Sequence, residues 1–454
     1  MALEIVGKHN TAKVFAPWIE DTASAQIKIL CDQEAFKDAK IRIMPDCHAG
    51  AGSVIGFTMP IGDKIIPNVV GVDGSCGMLS FEIAINDYIY ENDRETFDKL
   101  IRSSVPFGTD VNDDAYNIED RLNYVNMQKQ AFLITEHLNG KLGMDVKAPK
   151  YDYDYFVDMC NRVGITLDYA LRSIGTCGGG NHFCEIGKSK ETGNIWITIH
   201  TGSRNLGKKV CDYWQKIAKD GRDDTKEIFD MRLNMLKLAY KGKELGKEIQ
   251  KLRTSLNKNI TVKSTGLEFL EGKDMYEYFY DMIMVQSYAT LNRREIADKI
   301  ISILRIDKDD LDVLDYIETI HNYINFSDFI IRKGAIASYK NERCAIPFNM
   351  EDGVLICEGK SNAEWNYSAP HGAGRVLSRT KAKEVINLDS AKESMKAKNI
   401  YSSNVPIDEV KGAYKDSAII EKAIEPTVDI LDRIIPIHNI KDDKNDEPPW
   451  RKKK

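Results

Sequence analysis

Asp73 and Cys76 stand three residues apart in the glycine-rich turn GVDGSCGM, residues 71–78. A carboxylate and a thiolate can converge there without bulky neighbours, and one hard and one soft donor together suit a divalent transition metal. Taken alone, the pair also reads as a turn aspartate beside a buried cysteine. GTCGGGNHFCEIG, residues 175–187, sets three consecutive glycines before Asn181, His182 and Glu185. The glycines let the backbone approach a ligand closely. Within one strand, alternation puts Asn181, Phe183 and Glu185 on one face and His182 on the other. One face could then meet a nucleotide while the other holds metal; the alternative is a glycine hinge with an incidental histidine. HTGSRNLG, residues 200–207, ends an apolar run with His200 and offers Arg204 as a phosphate-binding guanidinium. His321 and Asn322 adjoin in IHNYIN, where a lone histidine would otherwise be a satisfied core group. SAPHGAGRVLSR exposes His371 between a proline and a Gly-Ala-Gly loop, followed by Arg375 and Arg379, expected on one face of a helix. A neutral imidazole beside such charge is a candidate nucleophile towards phosphorus. Asp73, Cys76, His182, His200 and His321 are enough ligands for one crowded or two linked metal ions, a device suited to phosphoryl transfer. His371 is then left for chemistry.

The elements that must position these groups are short apolar runs broken by glycine. IRIM, VIGFTM, NVVGV and MLSFEIAI, all within residues 1–85, predict strands. Helical spacing follows in DRETFDKLIRSSV and EDRLNYVNMQKQAFLITEHL. A second strand-and-glycine block covers 173–207, and the Lys-, Glu-, Leu- and Met-rich stretch 208–262 predicts a projecting helical hairpin. A helix is expected near 273–305, strands return at 330–378, and AYKDSAIIEKAIEPTVDILDRIIPIHNIK closes the ordered part. Residues 442–454 read as a charged flexible tail. The chemistry-bearing segments scatter from residue 46 to 375, which favours one active site assembled from the whole chain.

Composition narrows the function classes. The chain has 454 residues, 43% hydrophobic and 29% charged, ample for a core, and its length alone predicts two or three lobes. With 63 basic against 69 acidic residues the net charge is −6, so a protein that coats polyanions is disfavoured and any nucleic acid must meet a local basic site. No run of 18 apolar residues and no signal-peptide pattern occurs, and a soluble cytoplasmic protein with no membrane partner is expected. Nine cysteines without regular CxxC pairs argue for reduced thiols. The GKS triplets at 187–189 and 359–361 follow glycines at the wrong spacing for a phosphate-binding loop, which excludes a conventional P-loop NTPase.

MPDCHAG, GVDGSCGM, GGGNHFCEIG, HTGSRNLG, HNY, PHGAGRVLSR and GAYKD, in that order from residue 44 to about 416, resemble the motifs of the RtcB family of GTP- and manganese-dependent RNA ligases. The resemblance implies an α+β fold: a mixed α/β single catalytic domain over 1–441, with central β-sheets and peripheral helices. It implies a histidine that attacks GTP, a covalent histidine–GMP, and joining of RNA 3′-phosphate or 2′,3′-cyclic phosphate ends to 5′-hydroxyl ends, in tRNA splicing or RNA repair. By the same resemblance His371 is the guanylylated nucleophile and Asp46 orients it. Cys76 would bridge two Mn²⁺ ions, with Asp73 and His182 on one and His200 and His321 on the other. The nucleotide would meet Asn181, His182, Phe183, Cys184, Glu185, His321, Asn322, Pro347, Phe348, Asn349, Met350, His371, Gly372, Ala373, Gly374, Tyr414 and Lys441. Arg204, Arg375 and Arg379 would hold RNA or triphosphate phosphates. An accessory activating protein is not specified. The chain departs from the family in having Gly74-Ser75 before Cys76, Phe348-Asn349 where many members have Gly-Ser, and residues beyond Lys441. Two rivals remain: a binuclear metallophosphoesterase, and an RNA-binding scaffold without catalysis.

Overall fold

Strand Gly77–Ile83 is buried at every position, which means that both faces of its sheet are covered. It belongs to a seven-stranded antiparallel sheet ordered Val313–Ile320, Gly77–Ile83, Ile195–Thr201, Phe183–Ser189, Val428–Ile440, Val354–Gly359, Arg343–Pro347. This is a computed structural model, and it describes residues 2–221, 233, 235–237, 242–259, 266–305 and 311–442. The period-two pattern sends Leu79, Phe81 and Ile83 to one side, where they join Ile197, Ile199 and the helix Arg94–Ser104. Met78 faces the other way, into a cluster with Trp196, Ile317, Ala345, Val354, Ile356 and Ile434. The two outer strands approach each other around that cluster. Ala345 N–H donates to Thr319 Oγ1 at 3.0 Å, and Arg343 pairs with Asp315.

A six-stranded sheet runs Leu3–Val6, Thr11–Val14, Arg42–His48, Ile55–Pro60, Ile330–Lys333, Asn322–Asn325, with Thr11–Val14 and Arg42–His48 parallel. Its apolar residues, such as Val14, Ile43, Phe57 and Ile331, merge with helices Tyr124–Leu142 and Tyr153–Val163 in the largest core. The helix Gly272–Leu304, about 50 Å long at 1.5 Å per residue, ties both cores together. Its Met275–Leu291 part lies in the largest core and Ile296–Leu304 packs under the seven-stranded sheet. Apolar residues on all its faces mark it as a central helix. The charge it buries is compensated: Asp281 accepts from Trp214 Nε1 at 2.7 Å and Tyr155 Oη at 3.0 Å, and pairs with Arg162.

The α+β class expected from the resemblance is the observed one. Three local expectations change. NVVGV is not a strand: Pro67–Val69 forms a short 3-10 turn, since Pro67 removes a ladder donor and Gly71 adopts φ +108°. Helix Tyr124–Leu142 starts later than EDRLN because Asn123 caps it, accepting from Asn126 N–H. The segment 208–262 does not begin as a projecting arm. Helix Arg204–Asp220 lays Leu206, Val210, Trp214 and Ala218 into the largest core at four-residue spacing. A second helix, Gly242–Asn259, follows, but most of the connection lies outside the described residues, as do residues 443–454 of the expected tail. All nine cysteines are free and buried. No helix among the described residues is long and apolar enough to cross a membrane.

Candidate functional site

Strand register gathers the chemistry at one sheet edge. Gly77 pairs with both Ile320 and Thr201, while His200 pairs with both Met78 and Phe183. Cys76, His182, His200 and His321 therefore meet where four neighbouring strands end. Asn181 and His182 were expected inside a strand; the strand begins only at Phe183, and both sit in the turn that enters it. Asp73 reaches the cluster from the 71–76 turn, across Gly202, where a Cβ would lie 2.3 Å from Asp73 Oδ1.

Cys76 Sγ lies 3.4 Å from His182 Nε2 and 3.2 Å from His200 Nε2. His200 Nε2 is 3.3 Å from His321 Nε2, and His182 Nε2 is 2.8 Å from Asp73 Oδ2. Two groups of possible ligands result, Cys76–His200–His321 and Asp73–Cys76–His182, with Cys76 common to both. The far nitrogens are fixed by main-chain carbonyls: His182 Nδ1–H donates to Cys177 O at 2.9 Å and His200 Nδ1–H to Asn181 O at 3.1 Å. Both Nε2 lone pairs then face the cluster, as metal-binding imidazoles require.

The donor set fits a divalent cation. Burial, with the neighbouring histidines, holds His200 and His321 far below the usual imidazole range, so they are neutral donors. Burial and the Asp73 charge push the Cys76 thiol well up. For Asp73, burial acts upward, but His182 outweighs it and the carboxyl stays below its usual range. A thiol beside a carboxylate ionises readily only against a cation, and Asp73 Oδ1 has no hydrogen-bond partner among the described residues.

Two fully buried residues of helix Gly272–Leu304 brace the ligand loops from beneath. Asn292 accepts from Gly175 N–H at 2.8 Å and Thr176 N–H at 3.1 Å, and donates to Gly202 O at 3.0 Å. Arg293 donates to Ser75 O at 2.7 Å and Thr201 O at 3.1 Å, and pairs with Glu318 at 2.8 Å.

A cavity of about 570 Å³ opens beside the cluster. His371 stands in its wall, its ring centroid 4.8 Å from that of His321. Asp46, fully buried, accepts from His371 Nδ1–H at 2.6 Å and from its main-chain N–H at 3.1 Å through the same oxygen. The loop can come this close because residue 374 is glycine: φ is +72° and a Cβ would sit 2.0 Å from Asp46 O. Lys415, in GAYKD, clamps the strand from behind by donating to Pro45 O at 3.0 Å and Cys47 O at 2.7 Å.

Asn181, Phe183, Glu185, His200, His321, Asn322, Pro347, Phe348, Asn349, Met350, His371, Gly372, Ala373, Gly374, Arg375, Arg379, Tyr414 and Lys441 all line this cavity. Cys184 does not: strand alternation turns its side chain into the core beside Cys177, opposite Glu185. His182 sits behind the wall with Asp73. Glu185 Oε1 is buried without a partner among the described residues, and burial pushes its carboxyl up to about 8 against the pull of Lys441. Lys441 Nζ lies 4.9 Å over the Phe183 ring and 3.5 Å from Glu409 Oε2.

The arginines depart from expectation. Only Arg379 begins a helix, Arg379–Val385, whereas Arg375 pairs with Tyr414 in an isolated bridge, so no single helix face carries both. They converge instead through acidic partners: Arg379 Nη1 lies 2.7 Å from Asp408 and 2.8 Å from Glu409, and Arg375 Nη1 3.2 Å from Glu409. Arg204 lies away from the cavity, donating to Thr176 Oγ1 at 2.9 Å and Gly108 O at 2.7 Å beside the glycine loop. Sequence reasoning missed Glu409, whose PIDEV setting carries no chemical signature, and left His48 and Glu20 without roles although both line the cavity.

The family model described as tRNA-splicing ligase RtcB matches residues 35–442. Similar proteins include the RNA-splicing ligase RtcB of Escherichia coli K12, 27% identical over 86% of this chain and 87% of its own length. The RNA-splicing ligase RtcB homolog 2 of Entamoeba dispar is 25% identical over 82% of this chain and 74% of its own. The tRNA-splicing ligase RtcB of Archaeoglobus fulgidus is 23% identical over 79% and 77% respectively.

Proposed function

From the premise that the chain belongs to the RtcB family, we propose that it is a GTP-dependent RNA ligase joining 3′-phosphate or 2′,3′-cyclic phosphate ends to 5′-hydroxyl ends through a histidine–GMP intermediate, in tRNA splicing or RNA repair. The observation that carries this reading is the Asp46–His371 pair beside the Cys76 cluster. With Nδ1–H donated to the carboxylate, His371 Nε2 holds the lone pair, and the carboxylate offsets the positive charge that grows on the ring as it attacks phosphorus. A water-activating phosphoesterase needs no such pair.

His371 Nε2 forms a bond to the α-phosphorus of GTP as the bond to the pyrophosphate oxygen breaks. The guanylate then passes to an RNA 3′-phosphate, and a 5′-hydroxyl displaces GMP. Asp73, Cys76, His182, His200 and His321 would hold two Mn²⁺ ions, which supply charge neutralisation at the phosphate oxygens. Ionised Glu185 would accept from the N–H edge of guanine, a role suited to a buried carboxylate oxygen with no partner among the described residues. Asn181, Phe183, Phe348 and Lys441 would close around the base. Arg375 and Arg379 would position Glu409 and Tyr414, with Arg379, the more exposed, available to RNA phosphate. Because the residues are drawn from Asp46 to Lys441, residues 1–441 would act as one catalytic unit of a cytoplasmic protein, and the whole chain's net charge of −6 suits a grip on RNA ends alone.

Incubation with α-labelled GTP and Mn²⁺ tests the reading. An acid-labile protein–GMP adduct is expected and is lost in His371→Ala; absence of the adduct in the unaltered protein overturns it.

A further inference from the structure

His48 stands two residues after Asp46 at the end of strand Arg42–His48 and lines the cavity that holds His371. Asp46 serves both rings, with its carboxylate for His371 and its main-chain carbonyl, at 3.0 Å, for His48 Nδ1. A carbonyl only accepts, so His48 carries its proton on Nδ1, and Nε2 of the neutral ring keeps a lone pair. Nε2 has no hydrogen-bond partner among the described residues.

The groups facing this ring are Asp46, His371 and Lys415, with Glu20 on the same cavity wall. Burial pushes His48 down to about 4, the His371 and Lys415 charges act with burial, and Asp46 opposes them. The ring therefore offers the cavity an acceptor and no donor. That suits a hydroxyl far better than a phosphate oxygen. Of the other acceptors on the wall, Glu409 is committed to Arg375, Arg379 and Tyr414, Asn322 Oδ1 accepts from Gly334 N–H at 2.9 Å, and Glu185 is the group assigned above to guanine. Glu20 Oε1 accepts from Ala49 N–H at 2.7 Å.

Resting on the ligase reading above, we propose that His48 is the general base of the sealing step. Its Nε2 takes the proton of the RNA 5′-hydroxyl as that oxygen forms its bond to the activated 3′-phosphorus. The bond from phosphorus to the GMP oxygen breaks, and its electron pair leaves with GMP. Phosphate charge brought in with the substrate raises the affinity of His48 for the proton it receives, and the proton passes to solvent when products leave.

The test uses the full chain with α-labelled GTP, Mn²⁺ and an RNA pair bearing 3′-phosphate and 5′-hydroxyl ends. His48→Gln keeps an amide that can donate to the Asp46 carbonyl but offers no base. It is expected to form the His371 adduct and to accumulate guanylylated RNA, with sealing slowed on the order of 10²- to 10⁴-fold. With pre-guanylylated RNA, the unaltered protein is expected to show sealing that rises through an acidic limb, absent in His48→Gln, and imidazole to restore part of the rate to His48→Ala. Unchanged sealing in His48→Gln overturns the proposal. So does an adduct lost as severely as sealing, or a sealing defect that follows Glu20→Gln and not His48→Gln. Failure of the ligase reading is distinguishable, because the unaltered protein would then form no adduct.

Discussion

A single carboxylate oxygen of Asp46 accepts two hydrogen bonds from His371, one from the ring at 2.6 Å and one from the main chain at 3.1 Å. The nucleophile candidate is thus fixed in tautomer and in backbone position by one fully buried group. Asp46→Asn keeps the shape but presents an amide that can donate to the ring, favouring the tautomer with Nε2 protonated. Adduct formation with labelled GTP is expected to fall by about 10³- to 10⁴-fold, with circular dichroism unchanged.

Sharing of Cys76 makes the two candidate metal groups separable. Cys76→Ser is expected to lose metal from both groups, whereas His182→Ala and His321→Ala each spare the other group. Metal analysis after equilibration with Mn²⁺ checks the pattern. The Mn²⁺-induced rise in melting temperature should shrink in the same order, since binding to the folded state adds to stability. Equal retention in all three variants would refute the arrangement.

Glu185 sets a pH dependence. Burial raises its folded-state pKa to about 8 from the ordinary carboxyl value of 4.5. Between those values the folded chain binds more protons at this site than the unfolded chain, so the contribution of Glu185 to stability falls as pH rises from about 4.5 to about 8 and is level beyond. Glu185→Gln should therefore gain in relative melting temperature over that window. If ionised Glu185 meets guanine, GTP binding at pH 7 releases a proton and tightens towards pH 8. Calorimetry in buffers of different ionisation enthalpy reads the proton, and its release should vanish in Glu185→Gln.

Arg293 braces the ligand turns from a fully buried position. Arg293→Ala removes the close partner of Glu318, leaving it Arg294 at 3.9 Å, and frees the Ser75 and Thr201 carbonyls. A loss of about 3–5 kcal/mol in urea unfolding is expected, with weaker Mn²⁺ retention. Arg293→Lys should recover part of the stability.

How legible the site was differed residue by residue. Asp73 and Cys76 alone read equally as a turn aspartate beside a buried cysteine, and became legible as ligands only together with the histidine-bearing motifs elsewhere in the chain. Glu185 and Phe183 followed from strand alternation, which holds even though the strand starts two residues late. The same alternation should have removed Cys184 from the nucleotide side. Arg375 and Arg379 misled, because four-residue spacing implies a shared face only inside one helix and Arg375 precedes that helix. Asn292 and Arg293 were invisible within a long apolar helix, where a polar pair reads as solvent-facing until its partners are known. Glu409 was invisible for the opposite reason, as one acid among 69 acidic residues.

The sequence by itself determined the donor types, the order of the glycine turns, the period-two and 3.6-residue patterns, and through its motifs the family. These are local properties, set by side-chain chemistry and backbone preference within a few residues. Only the tertiary structure decided which donors share a point. Antiparallel register brings Gly77 opposite Ile320 and Thr201, and thereby sets Cys76 beside His200 and His321, residues more than a hundred positions away. Loop closure over such distances depends on packing of the whole sheet and its central helix, and no stretch of a few residues encodes it.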